Sequence, residues 1–142
     1  MNRYTELKRR QREEFGAFPM QFAFSDKQFA EGMAALGLSP TDTDKVYKAP
    51  GGGFYRREDG PRLKAMMDRF DQELQAAIAG DETGDGFILD MFLYELDNHE
   101  YGYTGDLDET LDALGYTAEE VLGDPRLKHG IEKAVTEIRG RE

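Results

Sequence analysis

Phe87-Ile88-Leu89-Asp90-Met91-Phe92-Leu93-Tyr94-Glu95-Leu96, wound as a helix, is apolar on nearly every side, with only Asp90 and Glu95 interrupting it. A helix without a polar face is stable only where neighbours cover most of its circumference, so this segment is expected to be the central helix. The flanking sequence reads as its covering. Upstream, Asp59-Gly60-Pro61 opens a long helix in which Leu63, Met66, Met67, Phe70, Leu74, Ala77 and Ile78 recur at three-four spacing until Gly80 stops it. Downstream, two shorter helices follow the similar phrases Gly102-Tyr103-Thr104 and Gly115-Tyr116-Thr117. Asp106 with Glu109, and Thr117 with Glu120, have capping-box spacing, and Gly115 suits the left-handed position that closes a helix. Pro125 opens a last helix with Leu127, Ile131, Ala134, Val135 and Ile138 on one side.

The N-terminal part is less regular. Residues 3–15 read as a thin amphipathic helix of Tyr4, Leu7 and Phe15 crowded by Lys8, Arg9, Arg10 and Arg12, too weak to stand undocked. Ser25 with Gln28 has capping-box spacing before a helix of Phe29, Met33 and Leu36 that Gly37 ends. Val46-Tyr47-Lys48 and Phe54-Tyr55-Arg56 flank Ala49-Pro50-Gly51-Gly52-Gly53, which predicts a β-hairpin over about residues 45–57. The expected fold is mainly α: a compact bundle of helical hairpins with one short β-hairpin, in a single acidic domain spanning residues 1–142.

The absence of cysteine excludes thiol chemistry, zinc ribbons and a disulfide framework. The charged N-terminus lacks the apolar stretch of a signal peptide, and no apolar run approaches a membrane span. A cytoplasmic location is the expectation.

Charge is distributed very unevenly. From Phe70 to Pro125 the chain runs 56 residues with 16 Asp and Glu and no Lys or Arg, whereas residues 1–69 hold 13 basic and 10 acidic groups. The net charge is −11. Such a field repels nucleic acid and attracts basic protein surfaces. An ordinary solvated face intersperses both signs. Carboxylates at helical spacing without cations instead imitate the phosphate rows of duplex DNA. The candidate partner-binding face comprises Asp90, Asp97, Glu100, Asp106, Asp108, Glu109, Asp112, Glu119, Glu120 and Asp124.

Other motifs are incomplete. Asp81-Glu82-Thr83-Gly84-Asp85-Gly86-Phe87-Ile88 matches the first eight positions of a calcium-binding EF-hand loop, making Asp81, Thr83 and Asp85 weak metal candidates. Phe92 stands where the bidentate Glu of position twelve belongs, so a tight turn with Asp85 capping the central helix is the simpler reading. His99 lies four residues after Glu95, but two ligands are too few for a metal centre, and a hydrogen bond within the acidic surface is expected instead. Pro50-Gly51-Gly52-Gly53 with Arg56 and Arg57 lacks the Lys-Ser/Thr of a phosphate-binding loop. No nucleophile-base pattern or dinucleotide fingerprint is present, so neither catalysis nor a cofactor is expected.

Phe22-Ala-Phe-Ser-Asp-Lys-Gln-Phe29, Gly84-Asp-Gly-Phe-Ile88 running into Met91-Phe-Leu-Tyr-Glu-Leu96, Asn98-His-Glu-Tyr-Gly-Tyr-Thr-Gly105 and Asp124-Pro-Arg-Leu-Lys-His-Gly130 together span most of the chain. These phrases resemble a family of small, uncharacterised acidic proteins encoded in gut bacteria, often on conjugative elements and prophages. The resemblance brings no activity or catalytic residues. It implies a context in which mobile elements must survive restriction and CRISPR enzymes, which hold DNA in basic clefts.

The leading expectation is therefore a non-enzymatic acidic binding protein, a counter-defence factor of the anti-restriction or anti-CRISPR kind. It would occupy a basic nucleic-acid-binding cleft by DNA mimicry, without binding nucleic acid or membrane itself. The alternative is a small accessory or regulatory interaction module with an apolar interface at Phe18–Phe24. A metal-dependent enzyme or calcium-binding module stands third.

Overall fold

The computed structural model describes residues 1–141, with the side chain of each except Tyr103. The elements in order are α1 (Arg3–Gly16), β1 (Gln21–Phe22), α2 (Asp26–Ala35), β2 (Val46–Ala49), β3 (Gly53–Arg56), α3 (Gly60–Ala79), α4 (Phe87–Asn98), α5 (Tyr101–Thr104), α6 (Asp108–Leu114), α7 (Ala118–Gly123) and α8 (Pro125–Arg139). The fold is mainly α with a small antiparallel sheet, as the sequence predicts. The chain divides into two compact units: Met1–Gln11 with Gln72–Glu142, and Arg12–Asp71.

In the first unit the segment quoted above does become the core. Ile88, Met91, Phe92 and Leu96 of α4 are fully buried. The principal partner of α4 is α8, whose Leu127, Ile131, Ala134 and Ile138 form the apolar stripe expected after Pro125. The two helices approach closely because Gly130 lacks a side chain: a Cβ there would lie 2.5 Å from Cγ2 of Ile88. Gly84, in the turn before α4, has φ +88° and sits so near α8 that a Cβ would meet the carbonyl oxygen of Arg126 at 2.3 Å. Glycine is required at that position by conformation and by space. Tyr4 and Leu7 of α1 join this core, while α5 and α6 pack on α4 and α7 packs on α8.

In the second unit the predicted hairpin forms, with Val46 opposite Arg56, Tyr47 opposite Tyr55 and Lys48 opposite Phe54. A third strand joins it: β1 pairs antiparallel with β3, placing Gln21 opposite Phe54, and the strand order is β1-β3-β2. Two residues are too few to show a period-2 pattern, and their partner lies over thirty positions away, so sequence alone gives no signal for β1. Beside the sheet, Met33 of α2 and Leu36 just after it bury Val46 and Phe54.

The caps follow sequence in part. Thr117 and Glu120 form a reciprocal capping box, and Gly115 adopts φ +76°. Ser25 accepts from the Gln28 amide, but the Gln28 side chain reaches back to the Phe24 amide instead of the cap residue's own. Asp106 and Glu109 do not make the expected box. Leu107 holds the cap position of α6, and Asp106 Oδ1 accepts from the Asp108 amide at 2.9 Å.

Candidate functional site

The acidic segment opens with an internal carboxylate. Asp81 is buried, its Oδ1 accepting from the amides of Gly84 at 2.9 Å and Thr83 at 3.3 Å, its Oδ2 from those of Gly86 and Ile88 at 3.0 Å each. Burial opposes the charge, yet the amide donors outweigh it and hold this carboxyl below the usual carboxylate range. Asp81, rather than the expected Asp85, therefore satisfies the amides at the start of α4.

Asp85 turns instead to α8, where its Oδ1 lies 2.8 Å from Nζ of Lys133 and 2.7 Å from Nε2 of His129. The Lys133 contact, followed by that of His129, lowers its pKa. Thr83 uses its hydroxyl to accept from the Asp85 amide at 3.1 Å. Each candidate of the EF-hand-like loop thus has an internal partner. Among the described residues no group of three or more His, Asp or Glu side chains is arranged to hold a metal ion.

Cations from both ends of the first unit return to the acidic segment. Arg3 donates its amide to Asp90 Oδ2 at 2.8 Å and places its guanidinium 3.5 Å away. Arg141 contacts both oxygens of Asp97, at 3.1 and 3.0 Å. Asp124 caps α8, accepting from the amides of Arg126 and Leu127, and its Oδ2 lies 3.4 Å from the Arg126 guanidinium. Arg126 also donates from Nη1 to the carbonyls of Ile78 and Asp81 at 3.0 Å each, closing the end of α3. The sequence carried one sign of this arrangement: Arg126, His129 and Lys133 fall at i, i+3 and i+7 on α8, one face of a helix. Their partners in Asp85 and Asp124 were not legible.

A polar node lies inside the apolar core. Glu95 is 8% exposed and accepts from the Tyr4 hydroxyl at 3.0 Å, while Thr110, fully buried on α6, donates to the Glu95 carbonyl at 3.4 Å. His99 Nε2 is buried 3.3 Å from Glu95 Oε2 without the alignment of a hydrogen bond, and Nδ1 lies 3.8 Å from Glu109. Instead of the expected surface hydrogen bond, His99 faces the buried Glu95. The Glu95–His99 spacing is visible in the sequence, whereas Tyr4 and Thr110 join Glu95 from positions with no local signal.

What remains of the predicted acidic face is narrower. Asp90, Asp97 and Asp124 have cation partners, and Glu120 is engaged in the α7 capping box. Glu100, Asp106, Asp108, Glu109, Asp112 and Glu119 are exposed. On α6, Asp108, Glu109 and Asp112 point away from the face that buries Thr110 and Leu111. Nearby, a cleft of about 540 Å³ is bordered by Tyr116, Glu119 and Glu120 against Ile78 and Leu127. Burial of the Tyr116 phenol, with the charges of Asp124 and Glu120, raises its pKa. The first unit carries 19 acidic and 9 basic residues, the second 10 and 9.

Among the described residues, no helix is long and apolar enough to cross a membrane. No curated protein and no solved structure is significantly similar to this chain. A family model described as "Family of unknown function (DUF7659)" matches residues 3–137, nearly the whole chain, and the protein belongs to that family.

Proposed function

We propose that this protein is a non-enzymatic acidic binding protein that captures a basic, nucleic-acid-binding surface of another protein. The observation that carries this reading is selective neutralisation. Cations of the first unit pair with Asp85, Asp90, Asp97 and Asp124, whereas Glu100, Asp108, Asp112 and Glu119 are exposed and have no cationic partner among the described residues. Carboxylates in that state attract a partner's Lys and Arg without first losing an internal ion pair. The cleft beside Tyr116, which Arg126 also lines, offers apolar walls for the stem of such a side chain and the Glu119 carboxylate for its head.

In the DNA-mimic form of this proposal the partner is a mobile-element target such as a restriction or CRISPR nuclease, whose DNA cleft carries the complementary charge. Like charge keeps the protein itself off duplex DNA. The test is capture of partners on immobilised protein, followed by displacement with duplex DNA over a salt series. Release by DNA and by salt supports mimicry; a complex indifferent to both contradicts it.

One observation favours a second reading. Phe22 and Phe24 are 53% and 79% exposed, whereas Phe18 is buried. An apolar interface in the Phe18–Phe24 segment would therefore rest on Phe22 and Phe24. Capture lost in Phe22→Ser/Phe24→Ser but kept after reversal of the α6 carboxylates would establish it.

A further inference from the structure

A pocket lies wholly within the second unit, beside β2, an edge strand of the sheet. It measures about 290 Å³ and is lined by Phe29, Val46 and Phe54 together with the exposed Tyr47, Lys48 and Arg57. Among the described residues no carboxylate lines it. Its two cations stand in a unit that is close to neutral as a whole, with 10 acidic and 9 basic residues.

Those cations are placed but not neutralised. Arg57 donates from Nε to the Val46 carbonyl at 3.3 Å, and its guanidinium lies 4.7 Å over the ring of Tyr47. The two contacts orient the guanidinium, and among the described residues neither Nη group has an acceptor. Lys48 has no carboxylate partner among the described residues. Of the neighbouring acidic groups, Glu58 lies 3.4 Å from Arg56 and Asp59 accepts from Arg56 at 3.1 Å, while Asp44 shares the lining of an adjoining pocket with Arg57.

We propose that this pocket binds a small monocarboxylate with an aromatic or branched aliphatic body. The body packs against Phe29 and Tyr47, with the buried Val46 and Phe54 closing the pocket, and the carboxylate receives paired donors from the Arg57 Nη groups and a third from Lys48. Size limits the ligand, because 290 Å³ lies at the lower bound of small-molecule pockets and suits a single ring with a short side chain. A phosphate ester meets the same two cations, so inorganic phosphate is the competing anion that the titration has to separate from the carboxylate. A nucleotide is disfavoured because the apolar side presents nothing to the edge of a base.

Calorimetric titration of the full chain with 3-phenylpropionate tests the proposal, with an expected Kd of about 0.1–1 mM for a ligand of this size. Comparison ligands are 3-phenylpropanamide, inorganic phosphate and a tetrapeptide ending in a free Phe carboxylate. The amide and phosphate should bind at least tenfold more weakly than the acid. Lys48→Gln and Arg57→Lys should each weaken the acid at least fivefold, with amide chemical shifts at Tyr47 and Lys48 moving on titration of wild type. Equal binding of acid and amide, equal or tighter binding of phosphate, or shifts confined to other residues would overturn the proposal. Binding by the tetrapeptide alone would also overturn it, by showing that the pocket takes a chain terminus. Should Arg57→Lys lower the melting temperature, the exposed Lys48→Gln decides: unchanged affinity there contradicts the assignment.

Discussion

The Tyr4 hydroxyl donates a 3.0 Å hydrogen bond to Glu95 across 91 residues of sequence, tying the start of α1 to a carboxylate inside the apolar core. Tyr4→Phe removes the donor and keeps the ring, leaving Oε1 of Glu95 buried without it, so it should cost about 1–3 kcal/mol in denaturant unfolding. Burial first, and then the charge and hydrogen bond of Glu95, raise the Tyr4 pKa above its ordinary value near 10. A raised folded-state pKa means that this contribution is complete below pH 10 and is lost as pH rises beyond it. Wild type should thus lose stability above pH 10 more steeply than Tyr4→Phe, as followed by melting temperature.

Asp81→Ala should be among the most damaging polar substitutions, because four buried or half-buried amides lose their acceptor at once. A loss of about 3 kcal/mol or more is expected, with Asp81→Asn intermediate since one oxygen remains. The Asp81 pKa is lowered in the folded state, so its contribution is complete above the ordinary carboxylate value and disappears as pH falls through the lowered one. Acid unfolding of wild type below about pH 4 should flatten in Asp81→Asn.

Calcium at millimolar concentration should neither raise the melting temperature nor give a calorimetric isotherm. Both Asp81 oxygens accept chain amides, Asp85 faces Lys133 and His129, and Phe92 occupies the position of the missing bidentate ligand. A Kd below about 100 μM would show that these internal partners yield to the ion.

Phe92→Ala removes a fully buried ring from the centre of α4 and should lower stability by about 3–5 kcal/mol. An unchanged denaturation midpoint would contradict the packing of α4 against α8.

These tests follow the boundary between what the sequence could and could not reveal. The burial of Phe92 was legible because an unbroken apolar helix has nowhere else to go, and the Thr117 cap because its chemistry lies within four residues. The grip of Asp81 on the α4 amides depends on the shape of the Gly84–Gly86 turn, so the residue type alone pointed to calcium. Tyr4–Glu95 and the third strand join partners far apart in the chain, where no local pattern exists. The sixteen acidic residues between Phe70 and Pro125 were countable, but which of them α8 and Arg3 neutralise required the fold.

The central claim concerns the carboxylates left unneutralised. Wild type and an Asp108→Lys/Glu109→Lys/Asp112→Lys variant, immobilised at equal density, are to be compared for capture of proteins from a bacterial lysate over 50–500 mM salt (about threefold changes in Debye length), with duplex DNA as competitor. These positions are exposed on α6, so the variant should keep its fold, with a cost of roughly 1 kcal/mol from placing Lys in the first turn. The account predicts a partner that wild type captures at low salt, that DNA displaces, and that the folded variant fails to hold. A partner retained equally by both proteins and indifferent to salt and DNA would contradict it.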